Sequence, residues 1–461
     1  MKKTNVIVSA FGQIPKAYIK KLNILLAGLS AFVLGSIIFY NPTPLYDIIT
    51  EKSVEGFGLT WPAIRFFIEP FYAFSYYMQT LERTFYGYAI VSWLAWLLIF
   101  SFGSSMLKKE PLKKAFVKAL VFFLCFITLA VGILLLRIPG ARLWAPEGKS
   151  IICIHSHTAS SHDGIITPRT ALRYFRAHGY DSFFITEHNH TEGFLRFPES
   201  ARFDRVFPGM QMSARDGVSV LILSGTEFNG DKFRHMYLRE IVARAHEYGM
   251  LAIMPHYWKW GHFSLEQLKD LGIDGFEVYN NGYRNISQER RRNLIEFCKN
   301  NDLMMFAVTD YHGWGFVTDA WTVVEGQTRG GKLFDVLKSR PQTWLVTNRG
   351  EQSASLIRFV FEPLAFLYYY LKEAPPKHVI SFVLGIALLY LLSLFGFARK
   401  FVYVLPLVFS VGFAGLSIKY YFLWTGFRQT NCVILDTVVP VLFGLSLFWF
   451  LAWYFAYRKK I

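Results

Sequence analysis

The stretch IICIHSHTASSHDG, residues 151–164, decides how the rest of the chain is read. Its opening apolar run, rich in Ile, reads as a buried strand. The strand ends at His155 and His157. Residues i and i+2 of an extended chain point to the same side, so both imidazoles can reach one ion at the strand's C-terminal end. Asp163 follows in a turn made by Gly164. A single His-x-His pair is often an ordinary polar pair. Here eleven of the twelve histidines lie between His155 and His312, most of them just after an apolar, strand-like run.

Those runs are Ile151–Ile154, Ser182–Thr186, Val218–Leu223, Leu251–Pro255, Gly275–Tyr279, Leu303–Thr309 and Thr322–Glu325. Helix-like stretches, among them Pro168–His178, Tyr237–Tyr248 and Ser287–Asn300, separate several of them. Repeated βα units predict an α/β barrel with its chemistry at the C-terminal strand ends. Read in order, those ends carry His155, His157 and Asp163, then Glu187, His188 and His190, then Glu227 with His235 beyond it, then His256, then Asp310 and His312. Imidazoles and carboxylates together suit Zn, Mn or Fe, and this many ligands point to more than one ion.

The residues resemble the PHP (polymerase and histidinol phosphatase) metallophosphoesterases. The motifs that carry the resemblance are His155-Ser-His157-Thr158, Asp163-Gly164, Thr186-Glu187-His188-Asn189, Gly225-Thr-Glu227, His235, Pro255-His256 and Thr309-Asp310-Tyr-His312. They occur in the family's order across about residues 150–345. Two departures stand out: Glu187 replaces the family's Asp, and Pro255 precedes His256 instead of following it. The resemblance implies a distorted (βα)7-type barrel holding three divalent ions. The first would take His155, His157, Glu227 and Asp310. The second would share Glu227 and take His235 and His256. The third would take Asp163, His188 and His312, with His162 as a competitor for the Asp163 position. His190 or Arg234 would protonate the leaving group or bind phosphate, and Glu187 would stand behind the ligands.

Outside this block the chain changes character. It is 53% hydrophobic and 18% aromatic, too apolar for an ordinary soluble protein. Charge-poor runs at Leu22–Tyr40, Tyr88–Met106, Ala115–Leu136, Val379–Ala398, Phe401–Trp424 and Thr437–Tyr457 predict six membrane spans. The net charge of +16 is a topology signal, because its clusters flank those runs: five lysines in residues 1–21, four in Leu107–Lys114, then Arg399-Lys400 and Arg458-Lys459-Lys460. Placing these inside puts residues 149–350 on the extracytoplasmic face of the plasma (inner) membrane. Residues 149–349 themselves hold 24 basic and 22 acidic residues, so no nucleic-acid face is expected. Four cysteines without CxxC spacing form neither a disulfide framework nor a zinc ribbon. The expected organisation is a membrane region over 1–148, the PHP-like domain over 149–350 and a second membrane region over 351–461.

Each membrane region also carries a copy of one repeat. Ile64-Arg-Phe-Phe-Ile-Glu-Pro70 recurs as Ile357-Arg-Phe-Val-Phe-Glu-Pro363, and Tyr76-Tyr77 as Tyr369-Tyr370. Arg65 with Glu69 and Arg358 with Glu362 are i,i+4 pairs on aromatic, interfacial helices. Such helices either seat the soluble block or hold a lipid substrate beneath it. The sequence therefore reads as a membrane-embedded metallophosphoesterase whose partners are the bilayer and a phosphate ester, lipid-linked or in a surface glycopolymer. The other readings are a sensor or transporter that uses the metal-binding block to bind a ligand, and a metal-dependent esterase or amidohydrolase-like enzyme. Oligomeric state is not legible from the sequence.

Overall fold

The computed structural model describes residues 45–67, 86–107, 111–137, 139–259, 263–280, 286–313, 320–347, 375–394, 397–427 and 432–458, with scattered positions between them. The expected span at Leu22–Tyr40 lies largely outside the described residues, as do Tyr76-Tyr77 and Arg358. Four short strands come before the motif-bearing block or at its edge: β1 (Tyr46–Asp47), β2 (Lys52–Ser53), β3 (Gly58–Thr60) and β4 (Arg142–Trp144). The block itself contains β5 (Lys149–Cys153), β6 (Ser182–His188), β7 (Val206–Ser213), β8 (Ser219–Leu223) and β9 (Leu251–Met254). It continues with β10 (Gly275–Asn280), β11 (Met304–Val308), β12 (Ala320–Glu325) and β13 (Thr343–Thr347).

Eleven strands form one sheet in the order β11-β10-β9-β8-β7-β6-β5-β12-β13-β1-β2. β5, β6 and β7 run parallel, as do β9, β10 and β11. β8 is antiparallel to both its neighbours. β12, β13, β1 and β2 extend the sheet antiparallel. The fold is thus a mixed α/β sheet, and the expected seven-fold βα repeat is interrupted. Only residues 214–218 join β7 to β8, too few for the crossover that a parallel partner requires. β7 itself was hidden from sequence reading by Pro208-Gly209, which resembles a turn. Gly209 is needed because a Cβ there would lie 2.8 Å from the Thr186 methyl.

Alternation along the strands builds two layers. Ile152, Phe184, Phe207, Leu221, Ile253 and Phe306, from six strands, meet in one buried cluster on the inner face of the sheet. Their neighbours Ile151, Phe183 and Ile185 face outward onto helix α3 (Pro168–Ala177), which follows α1 (Tyr86–Leu107) and α2 (Leu112–Leu136) in the chain, and Tyr174 and Phe175 cover them there. That helix starts where Thr167 accepts from the Thr170 N–H and Pro168 occupies the first turn, a position that tolerates proline's missing donor. Helices α4 (Glu192–Leu195), α5 (Leu238–Glu247), α6 (Leu265–Asp270), α7 (Gln288–Asn300) and α8 (Leu333–Lys338) complete the block. The inner face draws together because β5 and β11 meet just past their ends. There the His157 N–H donates to the Tyr311 carbonyl (2.8 Å), and the Asp310 N–H to the His155 carbonyl (3.2 Å).

The sheet also recruits chain from the expected N-terminal membrane region. Asp47, at the end of β1, is buried and accepts from the Leu345 N–H at 2.8 Å. Long apolar helices flank the block: α1 (Tyr86–Leu107) and α2 (Leu112–Leu136) before it, α9 (Pro376–Leu394), α10 (Phe397–Phe427) and α11 (Val439–Arg458) after it. Among the described residues three stretches are long and apolar enough to cross a membrane: Gly87–Leu107, Val404–Phe427 and Ile434–Tyr454. α2 and α9 cover two more of the expected spans. The repeat helices pack reciprocally. Ser381 of α9 donates to the Phe66 carbonyl, while Trp96 of α1 donates to the Val360 carbonyl at 2.6 Å.

Candidate metal centre

The histidines and Asp310 lie at or just past strand ends, and Asp163 in the turn that follows β5. Just past β5, His155 turns its Nδ1–H onto the Glu277 carboxylate at 2.6 Å. That donation fixes the tautomer and leaves Nε2 with a lone pair when the ring is neutral. Nε2 then lies 3.0 Å from His157 Nε2 and 3.2 Å from Asp310 Oδ1. His157 is fixed by a relay. Ser161 donates to Glu187 Oε2 (2.5 Å), so its oxygen accepts from His157 Nδ1 at 3.2 Å, and His157 Nε2 too is left as an acceptor. His312 donates through Nδ1 to the Asp310 carbonyl (2.8 Å), which turns Nε2 toward Asp163 Oδ2 at 3.2 Å. His188 Nε2 sits 3.5 Å from the other Asp163 oxygen.

The backbone is bent to achieve this. Asp310 (φ 48°) and His256 (φ 29°) are non-glycine residues in the left-handed region, each two positions past the last residue of its strand. Such conformations cost about 1–3 kcal/mol and persist where the surroundings impose them. Gly164 is required for a different reason. A Cβ there would collide with the Thr158 carbonyl, across the turn that carries Asp163.

Three overlapping groups result. His155, His157 and Asp310 are buried, and their ligand atoms lie within 4.8 Å of one another. His157, His188 and His312 form the second group, with the His157 ring stacked on the other two at 4.4 and 4.2 Å. Asp163, His162 and His188 form a third, more exposed set. With the rings neutral, lone pair faces lone pair, with carboxylates on both sides. Buried acceptors repel one another unless a cation lies between them, so the residues present fit divalent ions.

The electrostatics agree. Burial disfavours a charged His155, but Asp310 and Glu277 outweigh it and push its pKa up to about 9. Burial alone would raise Asp310 and Asp163, yet the surrounding imidazoles hold both far below the ordinary carboxylate range. His157 is driven down by burial and then by His312 and His188. His256 is driven by burial down to about 3. The pocket therefore favours positive charge on His155 and His312 and neutral imidazoles at His157 and His256.

The other expected site residues fall in different places. Glu187 is fully buried, and accepts from the Thr158 N–H and hydroxyl and from Ser161, so it organises the ligand loop. His190 donates through Nε2 to the Ser160 carbonyl at 3.0 Å and keeps Nδ1 buried without a hydrogen bond. His256 reaches Gln211 at 3.3 Å. Glu227 and His235 are exposed and not brought into the cluster; Glu227 lies 3.9 Å from Arg202. Arg234 is exposed and pairs with Asp231 at 2.9 Å.

Two residues that sequence reading missed stand in their place. Gln211, on the hidden strand β7, lies 3.1 Å from His155 Nε2. Glu277 accepts from the His256 N–H at 2.8 Å as well as from His155. A lone acid inside the buried strand GFEVYN was a legible signal for it.

No protein-family profile and no curated protein matches the chain. Among solved structures it is similar to a protein from Bifidobacterium adolescentis assigned as a metal-dependent phosphoesterase, with 18% identity, 41% of this chain and 95% of that one covered, and a TM-score of 0.32. It is similar to a two-domain protein from Bacteroides vulgatus containing a predicted PHP-like metal-dependent phosphoesterase (17% identity, 46% and 69% covered, TM-score 0.35). An amidohydrolase from Chromobacterium violaceum is similar at 13% identity, with 41% and 97% covered and a TM-score of 0.31. At these scores the likenesses assign no activity to this chain.

Proposed function

We propose that the protein is a membrane-embedded, metal-dependent phosphoesterase. In this reading it hydrolyses a phosphate mono- or diester, lipid-linked or on the cell surface, at the extracytoplasmic face of the plasma membrane. The observation that carries the proposal is the meeting of the His155, His157, His188 and His312 nitrogens with the Asp163 and Asp310 carboxylates at the strand ends. The order of the motifs supports a phosphate ester among the bonds such sites cleave. Divalent ions held there would lower the pKa of a water toward neutrality and neutralise phosphoryl charge.

The chain's own groups do the positioning. Glu277 and the Glu187–Ser161 relay keep His155 and His157 in ligating tautomers. His190, its Nε2–H committed to Ser160, has Nδ1 left to carry a proton to a leaving group. His155, His157, Asp310 and His256 would serve one ion, and Asp163, His188 and His312 another. The third ion of the PHP pattern needs Glu227 and His235 to fold in over His256, and Arg234 would come with them.

A membrane-borne substrate is supported by the seat of the ligand loop. The His162 carbonyl accepts from the Cys432 and Val433 N–H groups, both at 3.1 Å, where α10 gives way to α11. The test is metal analysis of the purified protein, with hydrolysis assays on soluble phosphomonoesters, soluble phosphodiesters and a lipid-linked phosphate in vesicles. Two or three Mn, Fe or Zn ions per chain and turnover of a phosphate ester are expected. A folded sample with no metal would overturn the reading. Bound metal without hydrolysis of any of the three would favour a sensor or transporter instead.

A further inference from the structure

The loops that carry Asp163 and His312 are not held by the sheet alone. Arg137 follows the last residue of α2 and takes a left-handed conformation (φ 47°, ψ 52°). That is strained for a residue with a Cβ and would suit glycine better. Its side chain makes three bonds. Nη2 donates to the Ile165 carbonyl (2.5 Å) and to the Tyr420 hydroxyl (3.0 Å), and Nε donates to the Gly313 carbonyl (3.4 Å).

Ile165 is two residues past Asp163, and Gly313 is next to His312. The two loops are also joined directly, the Ile165 N–H donating to the His312 carbonyl at 2.7 Å. One guanidinium thus spans both ligand loops from the end of one membrane helix, and Tyr420 of α10 steadies it from another. The same loop packs Ala159 and Ile165 into the apolar cluster formed by Phe413, Tyr420, Ile434 and Leu442. Four hydrogen bonds, two from the Arg137 guanidinium and two from the Cys432 and Val433 N–H groups to the His162 carbonyl, and a buried apolar contact therefore run between the Asp163–His312 loops and the apolar helices. His155 is instead held from within the sheet, by Glu277 and Gln211, and His157 by the Glu187–Ser161 relay.

We propose that Arg137 is a positioning residue for the Asp163–His188–His312 group, and that α2 and α10 are a working part of that centre. The proposal rests on the metal reading above. Loss of Arg137 frees two loops at once, so the Asp163 and His312 ligand atoms lose their fixed separation while the His155 group keeps its supports.

The test uses the full chain in bilayer discs, titrated with Mn2+ and followed by bound-metal analysis and thermal unfolding. Arg137→Gly removes the guanidinium but relaxes the backbone, and Tyr420→Phe removes one partner while keeping the ring. Asp163→Ala serves as the reference for loss of the group. Arg137→Gly is expected to weaken the same share of bound Mn2+ as Asp163→Ala, by on the order of 10–100-fold as for other groups that orient ligands. Tyr420→Phe should shift it the same way by less, and Arg137→Lys should lie between Gly and the parent.

Parent-like Mn2+ binding by both Arg137→Gly and Tyr420→Phe would overturn the proposal while leaving the metal reading intact. If Arg137→Gly does not fold, Tyr420→Phe decides alone. A parent chain that binds no Mn2+, Zn2+ or Fe2+ would remove the metal reading and this inference with it.

Discussion

Single residues in this protein act through the tautomers and charges they impose on their neighbours. Glu277 touches both His155 and the His256 backbone, so Glu277→Gln should lower metal affinity by on the order of 10–100-fold with the sheet still folded. His155→Ala and Asp310→Ala should remove the first ion and most activity. Metal content measured beside circular dichroism checks all three.

His178 supplies a pH prediction away from the cluster. Its Nδ1–H donates to the Tyr174 carbonyl and its Nε2 accepts from the Gly140 N–H at 2.7 Å, an arrangement open only to the neutral ring. Burial holds its pKa down to about 4, below the ordinary 6.5. The unfolded chain therefore binds a proton that the folded chain refuses. The stability involved is present above about pH 6.5 and is lost as pH falls toward 4, at up to roughly 1.4 kcal/mol per pH unit. His157 and His256 are shifted the same way, so the informative quantity is a difference. Thermal unfolding at pH 7 and pH 5 should show a smaller drop for His178→Gln than for the parent.

At the scale of elements, the Arg65–Glu69 pair of the first repeat copy is buried. Arg65 is 2% exposed and Glu69 0%. They pair at 2.8 Å, the guanidinium lies 4.1 Å from the Trp61 ring, and Tyr370 donates to Glu69 at 2.7 Å. An i,i+4 spacing alone reads as an exposed pair worth about 0.3–0.5 kcal/mol. Buried, the same pair costs about 3–5 kcal/mol when one partner is removed. Arg65→Ala should therefore lower the melting temperature, and with it hydrolysis of a soluble phosphoester and of a lipid-linked phosphate together. A selective loss of lipid-linked turnover in a normally folded variant would restore a direct role in holding lipid.

At the scale of the whole molecule, two independent features bear on the membrane orientation proposed for the block. The lysine clusters bear on the inside loops. The pairing of β1 with β13 adds that residues 46–47, between the first two expected spans, lie on the same side as 343–347. A reporter active only outside the cytoplasm should therefore work when fused near Gly350 or within residues 48–60, and fail when fused after Lys459. Cytoplasmic activity at both of the first two positions would reverse the orientation.

Sequence alone determined the strands that end in histidine or carboxylate, because an apolar run with its polar group at the end is a local pattern. It likewise determined the long apolar helices and the i,i+2 geometry of His155 and His157. It could not reveal that β8 runs against its neighbours, that Glu277 stands behind His155, or that Arg65 is buried. Each of these depends on groups far apart in the chain, 122 positions in the case of His155 and Glu277. A side chain's protonation, exposure and partner are set by what packs against it, and only the tertiary structure decides that. The clearest case is Arg137: in sequence it is one basic residue at the end of an apolar run, and in the fold it ties two ligand loops to the apolar helices.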